Sequence, residues 1–253
     1  MPRLLPRPRR RTALWVGLVL ALAALGLYFV FRVRLTVPPP QALAAGRSLL
    51  QKKTVLAVVA HPDDLEWYLG GTLRRLADAG ANVQVIVASN GEKGPNRTKV
   101  SDLARTRREE QLAAARINRY TRVHFLGLPD RGVAADSRFL PQVEAIYASV
   151  KPEAVFVFDP SFPALPYLHP DHQGSARAFL SFWRTLGADR PPVYLFQTRR
   201  PNVAVDISTV IDTKAEALAQ HKSQNGGQGG NMKGFFRGRS VGVAYAETFR
   251  LLR

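Results

Sequence analysis

The sequence predicts an α/β fold with a Rossmann-like, largely parallel sheet and helices on both faces. Apolar, β-branched runs at residues 55–60, 83–88 and 154–158 are short and end in turn residues, as buried strands do. Amphipathic segments separate these runs, and this alternation is typical of parallel sheets built from right-handed strand–helix–strand units. With 253 residues and 46% hydrophobic content, the chain can bury one substantial core and carry an N-terminal appendage.

The predicted domain spans residues 53–253, and its elements follow in regular order. After the first strand, a helix over 69–79 ends at Gly80, a residue type favoured just past helix C-termini. No G-x-G-x-x-G motif follows the first strand, so a nucleotide site is not indicated. The other predicted elements are a polar loop at 89–99, helices at 103–117, 141–150 and 176–186, strands at 123–126, 193–196 and 203–207 (the last two at a sheet edge), a flap or flexible loop at 226–230, and a final helix within 241–250.

The N-terminal segment has the pattern of a membrane anchor that precedes the fold. Residues 1–12 form a basic tail with five arginines and no acid, and residues 13–31 run without a charge. At about 1.5 Å per residue, this run nearly crosses a hydrocarbon core of roughly 30 Å. Trp15 and Tyr28 stand near its two ends, where interfacial aromatic residues are common. The sequence therefore predicts a transmembrane helix at 13–31, followed by a proline-containing linker at 32–52.

The arginines around the apolar run predict its orientation. Five precede it and two follow it, so the positive-inside rule places the N-terminus in the cytoplasm and the domain at 53–253 outside it. A cleavable signal peptide is the alternative, but its apolar region usually has only about 7–15 residues. Arg32 and Arg34 follow the run directly, where a signal peptide would have small residues. A retained anchor in the membrane is therefore the prediction.

Charge and cysteine content narrow the partners and the chemistry. The net charge is +17. Residues 1–34 contain seven arginines and no acid, so the remaining residues carry a net charge of +10. A basic domain is attracted to anionic lipids or polyanionic envelope polymers, and general solubility is the competing explanation. Nucleic acid is not expected, because the arginines form no stripe interleaved with aromatic residues. The chain has no cysteine, so any metal site must use histidines and carboxylates.

A polar cluster follows the first strand directly. His61, Asp63 and Asp64 stand at its carboxyl end, where open α/β sheets bind their ligands. If the chain turns helically there, His61 and Asp64 are three residues apart and face the same side. An imidazole nitrogen and a carboxylate oxygen so placed can bind a zinc-like ion, while Asp63 points elsewhere and is free to handle a proton. The alternative is a polar turn in which an aspartate caps the next helix.

A second, similar cluster lies at residues 167–172. Only five histidines occur in the chain, and His61, His169 and His172 belong to these two clusters. A zinc site with an open fourth position needs one further ligand, and the second cluster offers two histidines. Their spacing alone does not choose between them. The alternative is a helix that starts at Pro170 with histidines nearby by chance.

With these motifs, the chain resembles the zinc-dependent de-N-acetylases of the PIG-L/LmbE type. The resemblance runs from about residue 53 to the C-terminus. The family often has Glu directly after the two aspartates, where this chain has Leu65 and places Glu66 one residue further on. The motifs that match in the family's order are AHPDDLE with GGTL at 60–73, NGEKG at 90–94, RTRREEQLAAA at 105–115, FLGLPD at 125–130, YLHPDH at 167–172 and VDIS with KAEALAQHKSQ at 205–224.

The resemblance implies an enzyme that removes N-acetyl groups from a glycan or glycolipid containing N-acetylglucosamine. It implies Zn²⁺ as the cofactor, with another divalent metal as the alternative, and His61, Asp64 and His172 as its ligands. A bound ion of this kind acidifies water and polarises an amide carbonyl. By the same resemblance, Asp63 is the general base that takes the proton from the attacking water.

The resemblance also implies roles for residues around the metal. His169 stabilises the oxyanion or protonates the departing amine, and Tyr167 matches a tyrosine near that oxyanion. Arg107 and Asp130 match positions that contact the sugar, although an exposed helix charge and a turn residue are the plain alternatives. Asp171 either orients a neighbouring histidine or caps a helix.

Two other functions compete with a membrane-anchored deacetylase. One is a catalytically idle, envelope-anchored carbohydrate-binding protein that kept the fold. The presence of every expected metal and base residue argues against that function. The other is an amidase that acts on an amide outside a sugar, and the sequence does not separate it from a sugar deacetylase.

Overall fold

The centre of the molecule is a seven-stranded sheet with the order β3-β2-β1-β4-β5-β7-β6. The computed structural model describes residues 15–22, 26, 32–165, 168–188 and 190–253. The strands are β1 (Thr54–Val59), β2 (Asn82–Ser89), β3 (Arg122–Leu128), β4 (Ala154–Phe158), β5 (Val193–Phe196), β6 (Val203–Asp206) and β7 (Ala246–Leu252).

Helices connect most of these strands. The α-helices are α1 (Pro39–Leu49), α2 (Asp64–Tyr68), α3 (Gly70–Asp78), α4 (Leu103–Asn118), α5 (Phe139–Val150), α6 (Pro170–Thr185), α7 (Ile211–Ala219) and α8 (Lys222–Asn225). Short 3-10 segments occupy Val133–Ala135, Gly229–Phe236 and Arg239–Val241. The glycine-rich tract around 226–230 packs closely on α7. A Cβ on Gly229 would lie only 1.9 Å from the carbonyl oxygen of Ala215.

The sheet is mixed. Strands β1 to β5 pair in parallel, whereas β7 runs antiparallel to both β5 and β6. The predicted final helix within 241–250 is therefore wrong, since this segment supplies β7. Its backbone groups pair with β5 on one side and β6 on the other, and this long-range pairing outweighs any local helical pattern.

The helices form two groups. Helices α3 and α4 contact each other and α7, whereas α5 contacts α6. In the strand order 3-2-1-4-5, right-handed crossovers place α3 and α4 on one face and α5 and α6 on the other. Because both faces are covered, the central strands are continuous apolar runs, and every residue of β4 is buried.

The strand order reverses between β1 and β4, which pair with each other in parallel. From β1 the chain continues to β2 on one side of this strand pair, and from β4 it continues to β5 on the other side. This reversal opens a crevice at the carboxyl ends of the two strands, the place where doubly wound folds bind ligands. Residues 61–64 follow β1, and residues 168–172 lead into α6 at the same end. The fold thus brings the two polar clusters of the sequence together.

The predicted transmembrane helix at 13–31 is wrong. Every helix in the described ranges is too short or too polar to span a bilayer. Residues 13–14, 23–25 and 27–31 of the predicted span lie outside the described residues. The predicted cytoplasmic N-terminus and external domain rested on this span and are withdrawn with it.

The predicted linker at 32–52 contains structure of its own. Pro39 begins α1, as proline suits the first turn of a helix. Helix α1 lies on β6 so closely that a Cβ on Gly46 would come within 1.9 Å of the carbonyl oxygen of Ala204. The amide groups of Arg34 and Thr36 also donate to carbonyls of residues 199 and 201. The segment is therefore part of the folded domain.

Candidate metal and catalytic site

The turn after β1 fixes the first carboxylate of the site. Asp64 begins α2 and is only 4% exposed. Its Oδ2 accepts hydrogen bonds from the backbone amides of Ala60 (3.2 Å) and His61 (2.8 Å). These two bonds hold the carboxylate beneath the turn, facing the side chain of His61.

Three potential ligand side chains from the two clusters converge in the crevice. His61 Nδ1 lies 3.5 Å from Asp64 Oδ2 and 3.2 Å from His172 Nε2, and His172 Nε2 lies 3.1 Å from the other carboxylate oxygen, Asp64 Oδ1. A tetrahedral zinc ion with ligands at 2.0–2.1 Å needs donor atoms about 3.3 Å apart. The spacing of the three side chains is therefore close to that of the ligands of one divalent ion.

His172 is held by packing as well as by its position in α6. The residue is fully buried, and its ring stacks on Phe158 at the end of β4 with 3.9 Å between ring centroids and an 8° tilt. The ring of Tyr68 meets it edge-on at 6.2 Å. The aromatic contacts fix the plane of the imidazole and thereby the direction of Nε2.

Two other groups among the described residues have metal-ligand spacing. One combines His61 with His169 and His172, and the other combines His61 with Asp130 and Asp171. In the second group, His61 Nε2 lies 3.1 Å from Asp130 Oδ1 and 3.5 Å from Asp171 Oδ2. A carboxylate that hydrogen-bonds to one ring nitrogen of a histidine commonly orients the ring so that its other nitrogen faces a metal. This arrangement favours Nδ1 of His61 as the ligand atom.

The electrostatics of the cluster also suit a cation. Burial by itself lowers the pKa of His61, but hydrogen bonds to Asp130, Asp171 and Asp64 raise it to about 12. Burial likewise opposes ionisation of Asp64, yet the neighbouring His172 and His61 hold its pKa well below the usual range. Three carboxylates around one imidazole create a negative site, and a divalent ion would balance that charge.

Asp63 lies beside the converging ligands but takes part in different contacts. Its Oδ1 lies 3.2 Å from Nη2 of Arg107. It stands at the N-cap position of α2, and among the described residues its side chain makes no capping hydrogen bond. Burial raises the pKa of Asp63, an effect that Arg107 partly offsets and that the charge of Asp64 reinforces. A carboxylate with a raised pKa holds an accepted proton more readily.

His169 is the N-cap residue of α6 and is partly exposed to the crevice. Its Nδ1 accepts a hydrogen bond from the backbone amide of Asp171 (3.3 Å), so the proton of the neutral ring resides on Nε2. Burial lowers the pKa of His169, and the nearby rings of His61 and His172 lower it further. The ring stands 4.6 Å from that of His61 and offers a neutral N–H donor. Tyr167, predicted to act near the oxyanion, lies outside the described residues.

Arg107 and Asp130 are both buried at 3% exposure, so Arg107 is not an exposed helix charge, whereas Asp130 does lie in a turn. Arg107 donates to the carbonyl oxygens of Pro62 and Gly91 in addition to its contact with Asp63. Gly91 has a φ of 67°, a conformation that favours glycine, and a Cβ there would also displace the guanidinium, which would lie 2.5 Å away. Asp130 binds His61 directly. A contact of either residue with a sugar stays a prediction.

Asp171 joins the site to a neighbouring loop. Its carboxylate accepts from the backbone amides of Arg131 (2.6 Å) and Val133 (3.1 Å) while one oxygen reaches His61. The capping position of α6 belongs to His169. Of the two roles expected for Asp171, contact with a neighbouring histidine is the one that the geometry shows.

Sequence reasoning missed a buried polar network behind Asp63. Its centre is Glu66, which the sequence comparison marked only as a displaced family position. Gln111 lies one helical turn beyond Arg107 on the same face of α4, and this spacing was a signal available in the sequence. The other members, brought from distant segments, are Asn118, Tyr120 and His221.

Comparison with known proteins is informative at this point. The PIG-L family, described as GlcNAc-PI de-N-acetylase, matches residues 56–183, just over half of the chain. The chain belongs to the PIG-L family. The matched range contains both polar clusters, which form the crevice described above. The resemblance to PIG-L/LmbE-type deacetylases predicted from the sequence is confirmed.

Individual relatives agree with this membership. Diacetylchitobiose deacetylase of Thermococcus kodakarensis is 30% identical over 192 residues, which cover 68% of this chain and 70% of that protein. The structure of N,N′-diacetylchitobiose deacetylase from Pyrococcus horikoshii matches with a TM-score of 0.71 and 25% identity, over 82% of this chain and 90% of that one. The PIG-L-family chain is therefore an enzyme of the deacetylase type.

One relative has a different name. The 4-oxalmesaconate hydratase of Pseudomonas putida is 30% identical over 192 residues, which cover 66% of this chain and 72% of that protein. Similarity across the family therefore does not by itself identify the substrate. The arrangement of residues in the crevice has to carry that argument.

Proposed function

We propose that this PIG-L-family chain is a zinc-dependent hydrolase that removes N-acetyl groups from a glycan or glycolipid containing N-acetylglucosamine. The observation that carries the proposal is the convergence of His61 Nδ1, Asp64 and His172 Nε2 within 3.1–3.5 Å, with the separate carboxylate of Asp63 beside them. The relatives named as diacetylchitobiose deacetylases support an amino sugar as the acetylated group.

His61, Asp64 and His172 would hold the ion, and the two histidines and one carboxylate leave room for water and substrate. Bound there, zinc would supply the chemistry that acidifies a water molecule and polarises the acetyl carbonyl. Asp130 and Asp171 keep the His61 ring in the tautomer and orientation that present Nδ1 to the ion.

Asp63 acts as the general base. Arg107 fixes Oδ1, so Oδ2 is the oxygen that accepts the proton of the attacking water. The water oxygen bonds to the acetyl carbon, and the carbon–nitrogen bond then breaks. The proton held by Asp63 passes to the leaving nitrogen, which departs as a free amine. The acetic acid that forms releases its remaining proton to solvent and becomes acetate.

His169 stabilises the oxyanion. The hydrogen bond from the amide of Asp171 to Nδ1 leaves the proton on Nε2, where it can be donated to the developing negative oxygen. The lowered pKa keeps the ring neutral near pH 7, and a neutral imidazole is a better hydrogen-bond donor than proton donor. Of the two expected roles, the geometry thus favours contact with the oxyanion over protonation of the amine. Arg107 and Asp130 would contact the sugar through their edges that face the crevice.

The decisive experiment measures acetate release by the purified full-length chain. N-acetylglucosamine oligomers and N-acetylglucosaminyl glycolipids are compared with a non-sugar acetamide, and hydration of 4-oxalmesaconate is followed in parallel. The proposal expects acetate from at least one amino-sugar substrate and its loss after metal chelation. Acetate only from the non-sugar amide would make the chain a general amidase, and hydration alone would make it a hydratase. Binding of the sugars without turnover would support an idle binding protein.

A further inference from the structure

The backbone at Asp63 is unusual. Six non-glycine residues in the described part of the chain have positive φ, and five of them lie between 49° and 62°, in the ordinary left-handed region. Asp63 stands apart with φ 99° and ψ −25°. Such conformations persist only where the surroundings hold them, and they are concentrated at functional sites. The contacts around Asp63 therefore show what keeps the base in place.

Two side chains of α4 hold this backbone. The amide of Asp63 donates to Oε1 of Gln111 at 3.0 Å. At the opposite edge of the same peptide group, Arg107 donates to the carbonyl oxygen of Pro62, and it also donates to Asp63 Oδ1. Gln111 is fully buried, so its bond is protected from competition with water. The Asp63 backbone is thus fixed through its own amide and through the preceding carbonyl.

Glu66 determines which end of the Gln111 amide faces Asp63. Gln111 Nε2 donates to Oε2 of Glu66 at 3.1 Å. The reversed amide would place an NH₂ group against the Asp63 N–H and an oxygen against the Glu66 carboxylate, and both contacts are repulsive. The carboxylate therefore forces Oε1 towards the amide of Asp63.

Glu66 is itself held by three further side chains besides Gln111. It is completely buried, and each of its oxygens accepts two hydrogen bonds. Oε2 accepts from Gln111 and His221, and Oε1 accepts from Asn118 and Tyr120, at distances of 3.0–3.3 Å. His221 belongs to the motif at 205–224, and sequence reasoning assigned this residue no role. A carboxylate with all four acceptor positions filled is a rigid support.

We propose that Gln111 and Glu66 are positioning residues for the general base. Glu66 orients the Gln111 amide, and Gln111 holds the Asp63 backbone in the conformation that directs its carboxylate at the attacking water. The inference rests on the proposed function, in which Asp63 takes that proton. It assigns the buried network a task in turnover, beyond a contribution to folding.

The test is a coupling experiment between Gln111 and Asp63. Gln111→Met keeps the length of the side chain and removes both polar atoms. Because a misplacement of about 1 Å can cost about 10²-fold, kcat should fall by about 10-fold to 10²-fold, while KM and bound metal change by less than about 2-fold. In an Asp63→Asn background the same substitution should cause no further loss, since the group that it positions is already inactive.

Trp183→Phe is the matched control. It also removes one buried side-chain donor, since Trp183 Nε1 donates to the carbonyl oxygen of Pro191 at 2.7 Å, but it belongs neither to the Glu66 network nor to the crevice. If Gln111 has a purely structural role, both substitutions should lower the unfolding temperature and kcat in parallel. Positioning predicts that Trp183→Phe keeps kcat within about 2-fold of the wild type, whatever its effect on stability.

A double substitution keeps the test valid if Gln111→Met does not fold. Gln111→Glu alone retains an acceptor for Asp63 but sets a carboxylate against Glu66, so kcat should fall. Glu66→Gln combined with Gln111→Glu exchanges donor and acceptor and should recover kcat at least about 10-fold over Gln111→Glu. No recovery in a folded, metal-bound double variant would overturn the inference.

Failure of the inference is distinguishable from failure of the proposed function. If the wild type is active, either of two results overturns positioning alone. Gln111→Met leaves kcat unchanged, or it lowers kcat further in the Asp63→Asn background. If the wild type releases no acetate, a crystal structure of Gln111→Met decides the matter. A displaced Asp63 backbone supports positioning although the reaction was misassigned, and an unchanged φ overturns it.

Discussion

His61 and His172 face each other across the crevice, with Nδ1 of one ring 3.2 Å from Nε2 of the other. The two residues are 111 positions apart in the chain, and one follows β1 while the other lies in α6. Both nitrogens also lie within 3.5 Å of Asp64. Two imidazole nitrogens and a carboxylate so close together form a ligand set for a divalent cation, and the first prediction concerns this ion.

The chain should bind about one divalent ion, and His61→Ala, Asp64→Ala and His172→Ala should each lose most of it. Each substitution removes one of three convergent ligands, and three protein ligands form one open site. Elemental analysis of the purified proteins measures the ion. His124→Ala is the control and should leave the metal content unchanged. His124 lies in β3, where its ring hydrogen-bonds to Gln84 of β2, and β2 separates β3 from β1. Undiminished metal in all three variants would refute the ligand assignment.

Asp63→Asn should retain the metal and lose activity. The amide has nearly the same shape as the carboxylate but cannot accept the proton, and loss of a general base typically lowers the rate by about 10²–10⁴, or roughly 3–5 kcal/mol in the barrier. Acetate release and bound zinc are measured on the same samples.

Asp64→Asn is the companion variant of Asp63→Asn. Because Asp64 contacts both histidines, this substitution should lower metal content and activity together. A fully active Asp63→Asn enzyme would exclude the general-base role. Equal loss of zinc from the two variants would instead make Asp63 a ligand.

Lys214→Met should strongly destabilise the fold. Lys214 and Glu247 form a fully buried ion pair at 2.6 Å, and Glu247 also accepts from the amides of Gly71 and Thr72 at the start of α3. Burial lowers the pKa of Lys214, and the adjacent Glu247 counters that effect. Removal of one partner leaves a buried charge uncompensated, which costs about 3–5 kcal/mol. Denaturant unfolding measures the change.

The exposed pair between Lys233 and Asp212 provides the comparison. Solvent screens such a pair, so Lys233→Met should leave the unfolding midpoint unchanged within error. A Lys214→Met protein as stable as the Lys233→Met protein would show that the buried pair adds nothing to stability.

Asp159→Asn should destabilise the protein in a pH-dependent way. Burial opposes the charge of Asp159, but hydrogen bonds from Arg250, the amide of Phe162 and Thr198 hold the pKa of this carboxyl below its usual value. A carboxylate whose pKa is depressed by folding stabilises the fold above its unfolded pKa of about 3.9, and the contribution is lost as the pH falls through the lower folded pKa. The substitution should therefore cost more at pH 7 than at pH 3. Equal losses in unfolding free energy at both pH values would contradict this explanation.

Local patterns in the sequence determined the central strands and the long helix between them. The apolar run predicted at 55–60 is β1 at Thr54–Val59, and the helix predicted at 103–117 is α4 at Leu103–Asn118. In both cases the deciding chemistry is local. β-Branched residues favour the buried strand, and the side chain of Asp102 caps α4 by accepting from the amide of Arg105.

Segments whose partners are distant in sequence were predicted wrongly. The C-terminal segment became β7 because β5 and β6 offer it unpaired backbone groups on both sides. The proline-containing segment became α1 because Gly46 can approach the backbone of β6. The apolar run at 13–31 was interpreted from its length, its hydropathy and the residues at its two ends, and no helix found in the described residues is able to span a bilayer.

For the active crevice, the sequence by itself determined the residue types and their order, including two His-Pro-Asp clusters, one directly after a buried strand and one at the start of a helix. Only the tertiary structure decided which atoms meet, because the parallel pairing of β1 with β4 brings together groups more than a hundred residues apart. It placed His172 Nε2 opposite His61 Nδ1 and bound the other nitrogen of His61 to Asp130. It also assembled the donors around Glu66, since the cost of burying a carboxylate is offset only where distant segments supply its hydrogen bonds.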